Sequence, residues 1–133
     1  IKERVRHASK SARQLFEMLS SDPRVGTVWY PMVSTPQAYE RVRRKEGEFG
    51  ALLSFVLRDR AKSAQFYDAL RVSKGPYLGT NFSLVCPYQM LAHYDQLEWA
   101  SERGVDADLI RVSVGQEETS DLVERFREAL GSI

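Results

Sequence analysis

The chain has 133 residues, a length that suits one domain with its own core, and its 19 basic and 18 acidic side chains leave a formal charge of only +1. Hydrophobic residues make up 43% and charged ones 28%, the profile of a globular and not a disordered chain, and the near-balanced charge leaves only weak bulk attraction to nucleic acid or anionic membrane. No apolar run approaches the roughly 20 residues of a membrane-crossing helix, and the single cysteine, Cys86, precludes an internal disulfide and suits a reducing, cytoplasmic setting.

Ile1-Lys2-Glu3-Arg4 reads as helix already under way with no capping residue, which predicts a piece of a longer polypeptide. Val5, Ala8, Ala12, Leu15, Phe16 and Leu19 recur at helical spacing and predict an amphipathic helix of about 18 residues that stops near Asp22-Pro23. Val25 to Tyr30 is β-branched and aromatic and is closed by Pro31, as a strand would be. Thr35 and Pro36 read as the cap and first residue of a short helix carrying Tyr39 and Val42 and ending near Gly47.

Phe49 to Leu57 is a second expected strand. Asp59 caps an expected helix over Arg60 to Leu70, with Ala61, Ala64, Tyr67 and Leu70 turned inward. Arg71-Val72-Ser73 is a short extended piece before the turn at Lys74-Gly75-Pro76, and Tyr77 to Pro87 reads as strand and loop. Met90, Leu91, Tyr94 and Leu97 mark one helix ending near Gly104.

Leu109 to Val114 alternates as a strand does, with Ile110, Val112 and Val114 on one face and Leu109, Arg111 and Ser113 on the other. The last helix places Leu122, Val123, Phe126, Ala129 and Leu130 inward, opened by Thr119 or Ser120 and stopped by Gly131. The fold class expected from this order is α+β, a mostly antiparallel sheet with helices packed on one side and the other side left for something else. Arg111 then faces either water or a ligand, and its planar fork matches the two oxygens of a carboxylate.

Several blocks, taken in order, carry a family resemblance. Gly104-Val105, Leu109 to Glu117, Asp121-Leu122 and Ala129-Leu130 resemble the closing segment of the Cys/Met-metabolism enzymes that use pyridoxal phosphate. Leu78-Gly79 with Leu84 and Pro87, Asp22 to Val25 with Trp29-Tyr30-Pro31, and Phe49 to Phe55 match further blocks, and Lys74 to Tyr88 with Leu91 to Tyr94 is most similar to the fungal cystathionine γ-synthase-like branch. The resemblance implies that residues 1–133 form the single small C-terminal domain of a fold-type-I enzyme. The active site would lie where it meets a large domain that binds pyridoxal 5'-phosphate, in a homo-oligomer of dimeric or tetrameric type. It implies substrate-binding roles for Arg111, which would grip the α-carboxylate of an amino-acid substrate, and for Tyr77, Leu78 and Gly79, which would line the pocket. Tyr77 stands where the family has a serine. The lysine that carries the cofactor lies far upstream in the family, and Lys2, Lys10, Lys45, Lys62 and Lys74 are not in its sequence context, so this chain alone is expected to be inactive.

Rival sites are weaker. His7 and His93 lack the paired spacing of metal ligands, so no metal is expected. Cys86 reads as a small buried side chain, and Glu117 with Glu118 as ordinary cap charges. Phe49 to Phe55 after Arg41, Arg43, Arg44 and Lys45 superficially matches an RNA-binding aromatic strand, but Ala51 stands where the second aromatic belongs. A purely interacting or scaffolding domain would use the same free face for a protein partner.

Overall fold

The structure, a computed structural model, describes residues 1–133. Apolar residues at helical spacing build α1, Lys2–Ser21, which buries Ala8, Ala12, Leu15, Phe16 and Leu19. It ends where Pro23 forbids helical backbone at the preceding residue; Asp22 is extended at φ −83° and ψ 125°. Val5, expected on the inward stripe, is instead exposed, because α1 runs past the edge of the core at that end.

Strand β1, Val25–Trp29, is followed by two helices of one turn each, α2 at Pro31–Ser34 and α3 at Pro36–Glu40. Pro31 thus opens a helix as well as closing the strand, in keeping with its fixed φ. Thr35 precedes Pro36 as expected but makes no side-chain cap bond, and Val42 lies outside the helix and is exposed.

Strand β2 covers Leu52–Leu57. Asp59 does cap the next segment, its carboxylate accepting from Ala61 N at 3.1 Å. That segment starts as a 3-10 turn at Arg60–Lys62 and continues as α4, Ser63–Ala69. The tighter turn shifts the helical phase in the first half, so Ser63 and Phe66 are buried while Ala61 and Ala64, expected inward, are exposed. Tyr67 is half-buried and Leu70 buried, as expected.

Short strand β3, Ser73–Lys74, precedes β4, Leu84–Pro87. The single helix expected up to Gly104 is broken in two: α5, Tyr88–Ala92, and α6, Leu97–Ser101, with a 3-10 turn at Tyr94–Gln96 between them. His93 leaves the helical region at φ −140°. Met90, Leu91 and Tyr94 are exposed, so no core on that side holds a continuous helix together. Strand β5, Ile110–Ser113, and α7, Thr119–Gly131, complete the chain. All five inward residues expected of α7 are buried; Thr119 bonds sideways to Ser11 Oγ at 2.7 Å instead of capping.

The strands form one sheet in the order β1-β2-β5-β4-β3, antiparallel except for the parallel edge pair β3-β4. The expectation of a mostly antiparallel α+β sheet holds. One face carries Leu53, Phe55, Leu57, Val85, Ile110 and Val112 into the core against α1, α4 and α7. At its centre the rings of Phe55 and Phe66 meet at 5.7 Å, edge to face, and Phe126 of α7 lies 6.3 to 6.4 Å from each. Tyr30, fully buried, stacks on Phe16 at 5.3 Å and donates its hydroxyl to Gly50 O at 2.9 Å, and burial pushes its pKa upward.

A bidentate pair joins the two ends of this layer. Arg24 donates to both carboxylate oxygens of Asp22, at 3.0 and 2.7 Å, and its remaining amine reaches Leu130 O of α7 at 2.6 Å. The hydrogen bonds from Arg24 hold the Asp22 carboxyl below its ordinary pKa. A folded-state pKa below the unfolded one stabilises at pH values above the unfolded pKa of about 3.9 and loses that contribution as acid protonates the folded carboxylate. Asp22→Asn should therefore flatten the acid limb of a stability-versus-pH curve below about pH 5, measured by urea unfolding; an unchanged limb would show that the pair contributes nothing there.

Candidate functional site

The second face of the sheet carries Arg111. Registry places Trp29, Ser54, Arg111 and Cys86 in one row across β1, β2, β5 and β4, and Leu52, Ser113 and Leu84 in the next. No long helix covers this face, in line with the sequence, yet it is not bare. Ser113, Leu84, Cys86 and Val56 are all buried, and residues 76–79 pass above β5.

Two contacts two residues apart fix that crossing. Arg111 donates to Pro76 O, and Gly79 N donates to Ser113 Oγ at 3.4 Å. Gly79 makes the necessary bend at φ +72°, a conformation that costs little without a Cβ. The guanidinium carbon of Arg111 also sits 5.1 Å from the centre of the Tyr88 ring, at the start of α5. The Tyr88 ring in turn meets His93 edge-on at 5.6 Å.

None of the protein's ion pairs includes Arg111. It is a half-buried permanent cation with a carbonyl and a ring as neighbours and no anion. A fork-shaped cation in that state has capacity left for a carboxylate. Tyr77, at 75% exposure, and Leu78, at 55%, flank it on the crossing loop with their side chains unpacked. The four residues expected to bind substrate are therefore gathered in one place.

An apolar cleft adjoins this point, lined by Val5 and Ala8 of α1, Leu52 of β2, Leu78 and Ser113. Arg4 closes one side, donating to Gly79 O at 2.6 Å. The exposed Val5 is thus a wall of the cleft and not a misplaced core residue.

Other candidates have structural roles. Burial pushes the Cys86 thiol up, with the Arg111 charge beside it opposing, so it is a poor nucleophile. His7 Nε2 lies 2.9 Å from Glu117 O, and no cluster of histidine, cysteine or carboxylate side chains has metal-binding geometry. The RNA-binding reading fails on orientation: Phe55 points into the core, fully buried, and Phe49 packs on Tyr39 and under Arg43. Neither ring offers a stacking platform.

Lys2, Lys10, Lys45 and Lys62 are exposed, and Lys74 donates to Leu70 O at 2.5 Å while lying 4.5 Å from the Tyr67 ring centre. No lysine stands in the Arg111 row, so these residues do not fit a covalent cofactor site.

Residues 1–131 match the family described as Cys/Met metabolism PLP-dependent enzyme. The chain belongs to that family. It is 43% identical over 128 residues to cystathionine gamma-synthase of Neurospora crassa, covering 96% of this chain and 21% of that protein. It is 45% identical over 131 residues to the cystathionine gamma-synthase-like protein ankD of Aspergillus thermomutatus, covering 98% of this chain and 23% of the relative. Among solved structures it superposes on cystathionine gamma synthase of Xanthomonas oryzae pv. oryzae in complex with cystathionine, with a TM-score of 0.85 and 29% identity, over 98% of this chain and 35% of that one. The chain spans about a fifth of the length of these curated relatives. The family is pyridoxal phosphate-dependent, and its fold agrees with the sheet and helices described above.

One pair beside the site carries no signal in the sequence. Ser83 and Glu117 lie 34 positions apart, and nothing local in either segment signals that the Glu117 carboxylate accepts from both Ser83 N, at 2.6 Å, and Ser83 Oγ, at 2.9 Å. Glu117 is a clamp on the loop, not an ordinary cap charge.

Proposed function

We propose that this chain is the small C-terminal, substrate-binding domain of a cystathionine γ-synthase-like enzyme. The observation that carries the reading is the unpaired guanidinium of Arg111 on the sheet face away from the long helices, beside the loop of Tyr77, Leu78 and Gly79. Arg111 binds the α-carboxylate of an amino-acid substrate through its fork, while Pro76 O and the Tyr88 ring fix the plane of that fork. Tyr77 and Leu78 form the wall nearest the substrate, and the phenol of Tyr77 narrows the entrance relative to a serine. Trp29 and Leu52, exposed on the same face, are apolar surface for a neighbouring module to cover.

The cofactor, pyridoxal 5'-phosphate, is held by a large domain outside these 133 residues. The reaction is γ-substitution: an O-acyl-L-homoserine loses its acyl group as the carboxylic acid, and the thiol of cysteine forms the new bond at the γ carbon to give cystathionine. The enzyme works as a homo-oligomer in the cytosol, which the lone buried Cys86 suits.

Assay of the full-length protein with O-acetyl-L-homoserine and cysteine tests this. Cystathionine as the main product supports the reading. Cleavage of cystathionine or methionine at a higher kcat/KM than synthesis would place the protein among the lyases, and inertness toward all three would overturn it.

A further inference from the structure

The loop that borders Arg111 cannot be held by its own packing, since Tyr77, Leu78 and Gly79 are all exposed. What holds it lies at its far end. Ser83 is fully buried and its hydroxyl accepts from Gly115 N at 2.9 Å, just beyond β5. The same residue donates through its amide and its hydroxyl to the two carboxylate oxygens of Glu117. Asn81 O accepts from Gln116 N at 2.7 Å. The two backbones are pressed together so closely that a Cβ on Gly115 would lie 2.4 Å from the carbonyl carbon of Phe82. With Gly79 N on Ser113 Oγ, residues 79 to 83 are laced to residues 113 to 117, the direct continuation of the strand that bears Arg111.

Glu117 is the one acidic side chain in this lacing, and no cation pairs with it. Its charge is directed wholly at Ser83, its own carbonyl meeting His7. Charge-assisted bonds of this type are shorter and more directional than neutral ones, so the carboxylate sets how low the loop lies over the strand.

We propose that Glu117 is a positioning residue for the carboxylate site: by clamping Ser83 it fixes the loop so that Pro76 O and Gly79 stand where Arg111 is aimed at the substrate. The inference rests on the reading of Arg111 as the carboxylate anchor. Glu117 touches no substrate. Its influence runs through the loop to the orientation of one guanidinium, and so falls on substrate affinity and not on the chemical step.

The test is a double-mutant cycle in the full-length protein with O-acetyl-L-homoserine as substrate. Glu117→Gln keeps the size of the side chain and removes its charge; KM should rise about tenfold while kcat stays within about twofold. Combined with Arg111→Ala it should raise KM no further than Arg111→Ala alone, because the loop matters only through Arg111. Glu117→Asp, which keeps the charge but is too short to meet both donors, should fall between wild type and Glu117→Gln. If Glu117→Gln does not fold, Ser83→Ala carries the same cycle. Additive KM effects, or a fall in kcat with KM unchanged, would overturn the positioning role while leaving Arg111 as the anchor. An Arg111→Ala variant with unchanged KM would overturn the anchor itself, and the role of Glu117 with it.

Discussion

Arg111→Ala in the full-length enzyme is expected to weaken binding of the amino-acid substrate tenfold to about a hundredfold. Hydrogen bonds to a charged partner contribute roughly 1.5–3 kcal/mol, and a factor of ten corresponds to about 1.4 kcal/mol. The loss should appear in kcat/KM and, with the same size, in the dissociation constant of a non-reacting amino acid. Arg111→Lys should recover only part of it, since an ammonium keeps the charge but not the planar fork that Pro76 O and Tyr88 orient. An alanine variant with wild-type kcat/KM would remove Arg111 from the substrate site. The variant should fold, because Arg111 is part of no ion pair and its side chain is not part of the core.

Phe126→Ala is the second large expected effect, and it falls on stability. Phe126 is fully buried and closes a triangle of rings with Phe55 and Phe66, each pair 5.7 to 6.4 Å apart. Truncation of a buried phenylalanine costs about 3–5 kcal/mol, through lost transfer energy and the cavity left behind. Domains are stable by only about 5–15 kcal/mol, so denaturant unfolding should show a large drop in midpoint. Phe126→Leu, which leaves a smaller void, should cost clearly less. Equal losses for both variants would mean that the ring cluster relaxes to fill the space.

Much of this was legible in the sequence wherever a repeat ran long enough. The faces of α1 and α7 follow from apolar spacing over several turns, and β5 from strict alternation, which also put Arg111 opposite the core row. Short elements were harder. Around α4 the apolar pattern is compatible with two phases, and the 3-10 turn at Arg60–Lys62 selects the one that buries Phe66. Between residues 88 and 101 the apolar residues implied one helix, but Met90, Leu91 and Tyr94 find no core in this chain and the backbone breaks at His93.

The candidate site divides in the same way. Arg111 is readable from the alternation of β5, and the roles proposed for it and for the Tyr77-Leu78-Gly79 loop come from the family's blocks, each readable within a few residues. The clamp of Glu117 on Ser83, the packing of Tyr88 under Arg111 and the closeness of Gly115 to Phe82 join segments brought together only by the β4-β5 pairing. A sequence read along the chain carries no local signal for them.

The most direct measurement of the central claim is a crystal structure of the full-length enzyme with cystathionine bound. The account predicts both α-carboxylate oxygens of one amino-acid end within about 2.7–2.9 Å of the Arg111 guanidinium nitrogens, beside the loop of Tyr77, Leu78 and Gly79. A carboxylate held by a different cation, with Arg111 turned to solvent or paired to an acid of a neighbouring domain, would contradict it.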